Sequence, residues 1–369
     1  MMNIKSLAYP LLQKGRYAKF ISLFNKAKQL PLQPGKIVMY VTSKGKLGGN
    51  LLAIKNYIEN CRLPYEITVY TAENRPGDMV LAPAMATAQF IMVDDYEPLV
   101  YALKLREGQH LVQVWHAMGA FKRFGYARST AEKGSLTHKN YTEAIVSSPE
   151  LCSLYAESFG ISEDKIKPVG TPRTDVFFDS AYTDRVKRRL NDAYPRLQGK
   201  KVCLFAPTFR GENVNDGYYP KEYIDLEALA DALGEEWLVV LKLHPYIKNR
   251  IDVPPAVLDL SAEREINDLL LMTDVLVTDY SSVIFENAVI GNAAVLYAPD
   301  LAEYTADRGF YFPYEDYACG EIVTEREALP AAVRSATADD ERMTRFRQRF
   351  VSQCDGKACE RFVKEILED

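Results

Sequence analysis

From residue 36 onward, short β-branched runs alternate with longer amphipathic stretches, and this rhythm most constrains the fold. Runs of four to eight such residues, bounded by turn formers, read as strands. Apolar residues recurring at three and four read as helices. A first set predicts strands at 36–42, 66–70, 90–93, 111–115, 144–147 and 166–169, with helices such as 49–59 and 98–105 between them. A second set predicts strands at 201–206, 237–243, 274–278, 293–297 and 321–323, with helices at 222–233, 264–271 and 283–290. Charged helices at 339–351 and 357–367 close the chain. Parallel neighbours need a crossover long enough to hold a helix, so the pattern predicts an α/β protein with mostly parallel sheets.

The length, 369 residues, allows two separate cores. The expected division is a basic amphipathic segment at 1–30, a first α/β domain at 31–180, a linker at 181–200, and a second α/β domain at 201–369 that includes the closing helices. Two doubly wound, Rossmann-like domains in tandem are expected to face a central cleft. Ligands in such sheets bind beyond the carboxyl ends of the strands, so functional residues should follow strands directly.

The net charge of −5 hides an asymmetry. Residues 1–58 carry ten basic and no acidic side chains, giving +10, and the remainder carries −15. Segregation of this size points to an anionic partner for the N-terminal region. Ile4, Leu7, Ala8, Leu11 and Leu12, then Tyr17, Phe20, Ile21 and Phe24, repeat with helical spacing, and Lys14, Arg16, Lys19, Lys26 and Lys28 fall between them. Pro10 and Gly15 split the segment into two short helices. Such helices suit an anionic lipid interface, each basic residue contributing about 1 kcal/mol. The alternative is a helix that covers the domain body with a solvated basic face. A nucleic-acid partner is disfavoured, because no recognised motif accompanies the charge. No run approaches the ~18 apolar residues of a spanning helix, and no secretory signal is evident, so the expected address is cytosolic. The six cysteines form no C-x-x-C pair and are expected to be reduced, packed thiols.

Two of the four histidines, His116 and His244, directly follow predicted strands; His110 and His138 do not and read as surface or structural residues. A strand-end imidazole suits proton transfer or anion contact, although a single one is more often structural. The segment Thr278–Asp279–Tyr280–Ser281–Ser282 reads as a strand end, a polar turn and a helix start. Its serines can cap the helix or, with the free N–H groups, hold an anion. Glu286, one turn inside, can bond a ribose or remain a solvated helix residue. Ala206–Pro207–Thr208–Phe209–Arg210 and Gly170–Thr171–Pro172–Arg173 each place a hydroxyl and an arginine after a strand. Each arginine can bind phosphate or serve an ordinary salt bridge. The convergence of Arg173, Arg210, Lys242 and the serine turn describes a diphosphate site. No P-loop, G-x-G-x-x-G, G-x-S-x-G or strand-end D-x-D is present, which disfavours P-loop kinases and nicotinamide dehydrogenases and leaves no metal clamp or cofactor expected.

Together, Val114–Trp115–His116–Ala117–Met118–Gly119, Gly170–Thr171–Pro172–Arg173, Ala206–Pro207–Thr208–Phe209–Arg210, Lys242–Leu243–His244–Pro245, Thr278–Asp279–Tyr280–Ser281–Ser282 with Phe285–Glu286, and Arg308–Gly309–Phe310–Tyr311–Phe312 resemble the CDP-glycerol glycerophosphotransferase family of teichoic acid synthesis. The resemblance implies a GT-B-like fold, an acceptor-side first domain, and a second domain that binds a CDP-polyol. It implies a monotopic, peripheral position on the cytoplasmic face of the membrane, through residues 1–30. His116 is similar to the proposed catalytic base, and His244 to a second essential histidine near the diphosphate. Gly119, Arg173, Pro207, Thr208, Arg210, Lys242, Leu243, Ser281, Ser282 and Glu286 match substrate-binding positions. The segment 115–125 looks most like the glycerol-phosphate primases, which implies CDP-glycerol as donor and a lipid-linked ManNAc-GlcNAc disaccharide as acceptor. A glycerol- or ribitol-phosphate polymerase, a nucleotide-sugar glycosyltransferase and a non-catalytic membrane-surface module are the rival readings.

Overall fold

The computed structural model describes residues 15, 17–128, 135–211, 216–249, 251–263 and 265–368. It forms two compact units, Met1–Asp175 with Gln353–Asp369, and Val176–Ser352.

The first unit carries a six-stranded parallel sheet: β1 (Gln33–Val41), β2 (Glu66–Thr71), β3 (Ala88–Val93), β4 (His110–Gln113), β5 (Glu143–Ile145) and β6 (Ile166–Lys167). The spatial order is β2-β1-β3-β4-β5-β6, so the crossover direction reverses between β1 and β3. Its helices are α1 (Ala18–Ala27), α2 (Gly49–Asn60), α3 (Asp78–Thr87) and α4 (Cys152–Phe159). Ile37, Met39 and Val41 pack with Leu51, Ile54 and Ile58, the period of two meeting that of three and four.

The second unit carries β7 (Lys201–Phe205), β8 (Trp237–Leu241), β9 (Leu258–Asp259), β10 (Val275–Thr278), β11 (Ala293–Tyr297) and β12 (Glu321–Val323), all parallel. Their order, β12-β11-β10-β7-β8-β9, is the Rossmann order, with its switch point between β7 and β10. Its helices are α5 (Ser180–Ala193), α6 (Leu226–Leu233), α7 (Ile266–Leu270), α8 (Val283–Ile290), α9 (Leu301–Arg308), α10 (Leu329–Ser335) and α11 (Glu341–Phe350).

The boundaries differ from expectation in two places. Residues 181–200 are no linker. Asp179 caps α5 through the backbone N–H groups of Ala181 and Tyr182. Tyr182 and Arg189 then bond Asp268, and Tyr194 bonds Glu263, so this helix is fastened inside the second unit. The chain end, in contrast, returns to the first unit. Phe362, Val363, Ile366 and Leu367 join the core that β1 and α2 line. The carboxylate of Asp175 accepts the N–H groups of Ala358 and Cys359 (3.0 and 2.7 Å), anchoring the last helix, α12 (Ala358–Phe362). A charged amphipathic helix carries no mark of which sheet it will cover, so sequence order misassigned it.

Most strands fall where expected. The two-residue β9 is too short to show a period, and α3 was hidden by Pro83 inside it. Where a helix is expected at 98–105, residues 98–102 form turns and 103–105 no regular element. The proposed lipid-facing residues Ile4 to Lys14, and Arg16, lie outside the described residues. Within α1, Phe20, Phe24 and Ala27 are buried in the first unit, so this stretch follows the domain-covering alternative. No helix among the described residues is long and apolar enough to cross a membrane.

Candidate functional site

In the first unit, the ends of β1, β3 and β4 bring together groups that are distant in sequence. His116 follows β4 and is exposed, with its Nδ1 3.1 Å from the carbonyl oxygen of Asp94 and 3.5 Å from Asp95 Oδ1. A carbonyl can only accept, so Nδ1 carries the proton and Nε2 keeps its lone pair. The protein packed around the ring lowers the pKa of His116 from its ordinary value although 39 % of the side chain is exposed, which favours this neutral form at pH 7. Trp115 stands in the left-handed region at φ 48°, a strained position for a large residue. Surrounding bonds hold it there. Gln113 Oε1 accepts its N–H (2.8 Å), Asn50 Nδ2 donates to its carbonyl (2.9 Å), and its ring stacks on Phe124. Asn50 Oδ1 also accepts the N–H of Arg173, whose guanidinium donates to the carbonyl of His116. Gly119, with φ 69°, sits on the same loop, where its carbonyl accepts from Tyr155 Oη (2.6 Å).

Beside this loop, Lys44 pairs with Asp94 (3.1 Å), and Thr42 donates its N–H and hydroxyl to Glu97. Burial pushes the Glu97 carboxyl up to about 7. Asn50, Gln113, Asp94 and Asp95 were missed in the sequence. The two aspartates directly follow the strand expected at 90–93, so the strand-end criterion could have found them.

Beneath the loop lies His138, fully buried among Tyr96, Trp115, Tyr141 and Phe159. Burial lowers its pKa from 6.5 to about 3. The unfolded chain therefore binds a proton between these values that the folded chain refuses. Stability should be complete above pH 6.5 and fall toward pH 3, by up to about 1.4 kcal/mol per pH unit. Urea midpoints at pH 7, 6 and 5 measure this. In His138→Phe the acid dependence should flatten, and an unchanged slope would assign it to other groups.

In the second unit, the candidate residues collect at the switch point between β7 and β10. Thr208 N–H donates to Asp279 Oδ1 (2.7 Å), and Thr278 Oγ1 donates to the carbonyl of Ala206 (2.7 Å), locking the two strand-end loops. Pro207 and Thr208 are buried between them. Ser281 and Ser282 lead into α8. Ser282 makes no side-chain cap bond, and Ser281 Oγ stands 3.4 Å from the N–H of Val283. Both serines are half-buried, and Glu286 is buried one turn inside. The positive end of an eight-residue helix favours an anion here.

After β8, Lys242 is buried and donates to the carbonyl of Ser261 (3.0 Å), while Leu243 N–H bonds Ser261 Oγ. Burial lowers the pKa of Lys242. His244 Nδ1 accepts the N–H of Tyr246 (3.2 Å), which leaves the proton of the neutral ring on Nε2. The two histidines thus hold opposite tautomers: Nε2 accepts in His116 and donates in His244. Phe209 packs beside His244 at 5.0 Å.

Arg210 departs from expectation. Its guanidinium makes four hydrogen bonds, to Asp300 (2.6 and 2.8 Å), Asp279 (2.9 Å) and the carbonyl of Thr208 (2.9 Å). It lies 5.0 Å from the rings of Tyr280 and Tyr304, with its side chain 8 % exposed. Burial works to lower its pKa, but the two carboxylates outweigh this and raise it, keeping the charge on. A guanidinium neutralised in this way supports the loops and is not offered to a phosphate. Asp300, its main partner, follows β11 closely and was also missed. The side chain of Arg308 lies outside the described residues.

The family described as CDP-Glycerol:Poly(glycerophosphate) glycerophosphotransferase matches residues 23–368. Among curated proteins, the chain is 40 % identical over 94 % of its length to the teichoic acid ribitol-phosphate polymerase TarL of Staphylococcus aureus, and 38 % over 94 % to TarK of the same organism. It spans 65 % and 71 % of the lengths of these two polymerases. It is 32 % identical over 66 % of its length to a teichoic acid glycerol-phosphate primase of Bacillus subtilis, and spans 65 % of that protein. Among solved structures, the wall teichoic acid polymerase TagF shares the fold, with a TM-score of 0.75 and 22 % identity over 100 % of this chain and 98 % of that one.

Proposed function

We propose, from the fact that this chain belongs to the CDP-glycerol:poly(glycerophosphate) glycerophosphotransferase family, that it transfers a polyol-phosphate unit from a CDP-activated polyol to a hydroxyl of a lipid-linked teichoic acid acceptor. The observation that carries the chemistry is the tautomer of His116, whose Nδ1–H is engaged by Asp94 and whose Nε2 is left as the acceptor. The acceptor hydroxyl gives its proton to Nε2. Its oxygen bonds the β-phosphorus of the donor, the bond from that phosphorus to the bridging oxygen breaks, and CMP leaves with the electron pair. His244 donates its Nε2–H to a phosphate oxygen. The hydroxyls of Ser281 and Ser282, the start of α8 and the Thr208 loop hold the diphosphate, and Glu286 takes the ribose. Lys242 adds positive charge near the loop after β8. Arg173 acts through its bond to the His116 carbonyl. The +10 charge of residues 1–58 supports work at the cytoplasmic face of the membrane, where a lipid-linked acceptor resides.

The expected glycerol-phosphate primase activity rested on residues 115–125. Identity along 94 % of the chain with two ribitol-phosphate polymerases, against 66 % with the B. subtilis primase, favours CDP-ribitol as donor and chain extension as the mode. The test is mass analysis of products from purified protein given CDP-ribitol or CDP-glycerol and a lipid-linked acceptor. Serial ribitol-phosphate additions with CMP release are expected. A single glycerol-phosphate addition would restore the primase reading, and transfer of a sugar from a nucleotide-sugar would overturn the phosphotransferase reading.

A further inference from the structure

His116 is held from below by two consecutive residues, and they do different work. The Asp94 carbonyl, 3.1 Å from Nδ1, selects the tautomer but carries no net charge. The Asp95 carboxylate, 3.5 Å from the same nitrogen, carries a full charge and is itself fixed. Its Oδ1 accepts the N–H of Tyr96 (2.7 Å), and its backbone carbonyl accepts from Gln113 Nε2 (3.1 Å). Gln113 is fully buried, bonds Tyr141 Oη through the same nitrogen, and accepts the N–H of Trp115. One side chain at the end of β4 thus sets both the aspartate loop and the residue before the base. Trp115 lies against the imidazole at 4.4 Å, which limits ring rotation.

Resting on the reading of His116 as the base, we propose that Asp95 is its positioning residue: the carboxylate orients the Nδ1–H and stabilises the imidazolium formed when Nε2 takes the acceptor proton. Among the described residues, the other charged or titratable groups that act on the ring are Asp94, tied to Lys44 at 3.1 Å, Lys44 itself and His138; Arg173 bonds the His116 carbonyl. Asp95 and Asp94 favour the protonated ring, while burial and Lys44 oppose it. The resting base is neutral for the second reason, and its protonated form is tolerated for the first. The full chain of the step closes without a further reactant, since the proton moves from the acceptor oxygen to Nε2 and is later lost to solvent.

The experiment uses the full chain with ¹⁵N-labelled histidine, where only four imidazoles contribute signals. Asp95→Asn keeps an oxygen for the Tyr96 N–H but removes the charge. The His116 titration midpoint is expected to fall by about 1 pH unit. The acid limb of kcat/KM should move down by the same amount, kcat should fall about tenfold, and KM for the donor should stay within about twofold. Asp95→Glu should recover part of both. A drop in kcat with an unmoved midpoint and acid limb would reduce Asp95 to a structural residue and overturn the proposal. The titration is read without turnover, so a shifted midpoint in a protein that transfers nothing would sink the transferase reading and leave the clamp standing.

Discussion

His116→Ala should lower kcat/KM by about 10²- to 10⁴-fold while donor affinity, measured by calorimetry with the CDP-polyol, stays unchanged. The expectation follows from where the imidazole stands. It is bonded through Nδ1, rests against the ring of Trp115 and keeps 39 % of its side chain exposed, so its removal deletes the proton acceptor with little opening of the core. The proposed donor groups Thr208, Ser281 and Ser282 belong to the second unit, and His116 belongs to the first. A fully active variant would strip His116 of its role. A variant that also loses donor binding would make the imidazole part of the donor site.

Arg210→Met should cost about 3–5 kcal/mol of stability, a large share of the roughly 5–15 kcal/mol that holds a typical domain folded. Methionine fills much of the volume but leaves the carboxylates of Asp279 and Asp300 buried without their cation. Arg210→Lys should recover little, since an ammonium cannot reproduce the fork that reaches both carboxylates and the Thr208 carbonyl. Urea unfolding gives the difference directly. A phosphate ligand would lose donor affinity at constant stability, and a structural cation loses stability first.

Much of the fold was legible because the strands are short, apolar and regularly spaced. The elements that escaped had a local reason: β9 spans only two residues, and α3 contains Pro83. The site was half legible. His116, His244, Thr208 and the serine turn follow strands, and in parallel sheets strand ends are where ligand groups gather. Asp94, Asp95 and Asp300 satisfy the same rule but look like ordinary turn aspartates, so the rule alone does not single them out. Asn50 and Gln113 sit inside predicted elements, and nothing local marks a buried amide that bonds 64 and 65 residues away, as Asn50 does, or 18 and 28 residues away, as Gln113 does.

Periodicity and chain order, properties of neighbours along the sequence, determined the α/β class, the two sheets and the residues that end their strands. Three matters needed the tertiary structure: that Arg210 is neutralised by Asp279 and Asp300, that His116 and His244 keep opposite tautomers, and that residues 353–369 return to the first sheet. Each depends on an atom brought close by folding from tens to hundreds of residues away, or on a loop conformation that those contacts impose. The charge on a guanidinium or the proton on a ring is set by what lies within a few ångströms of it, and a linear pattern holds no record of that distance.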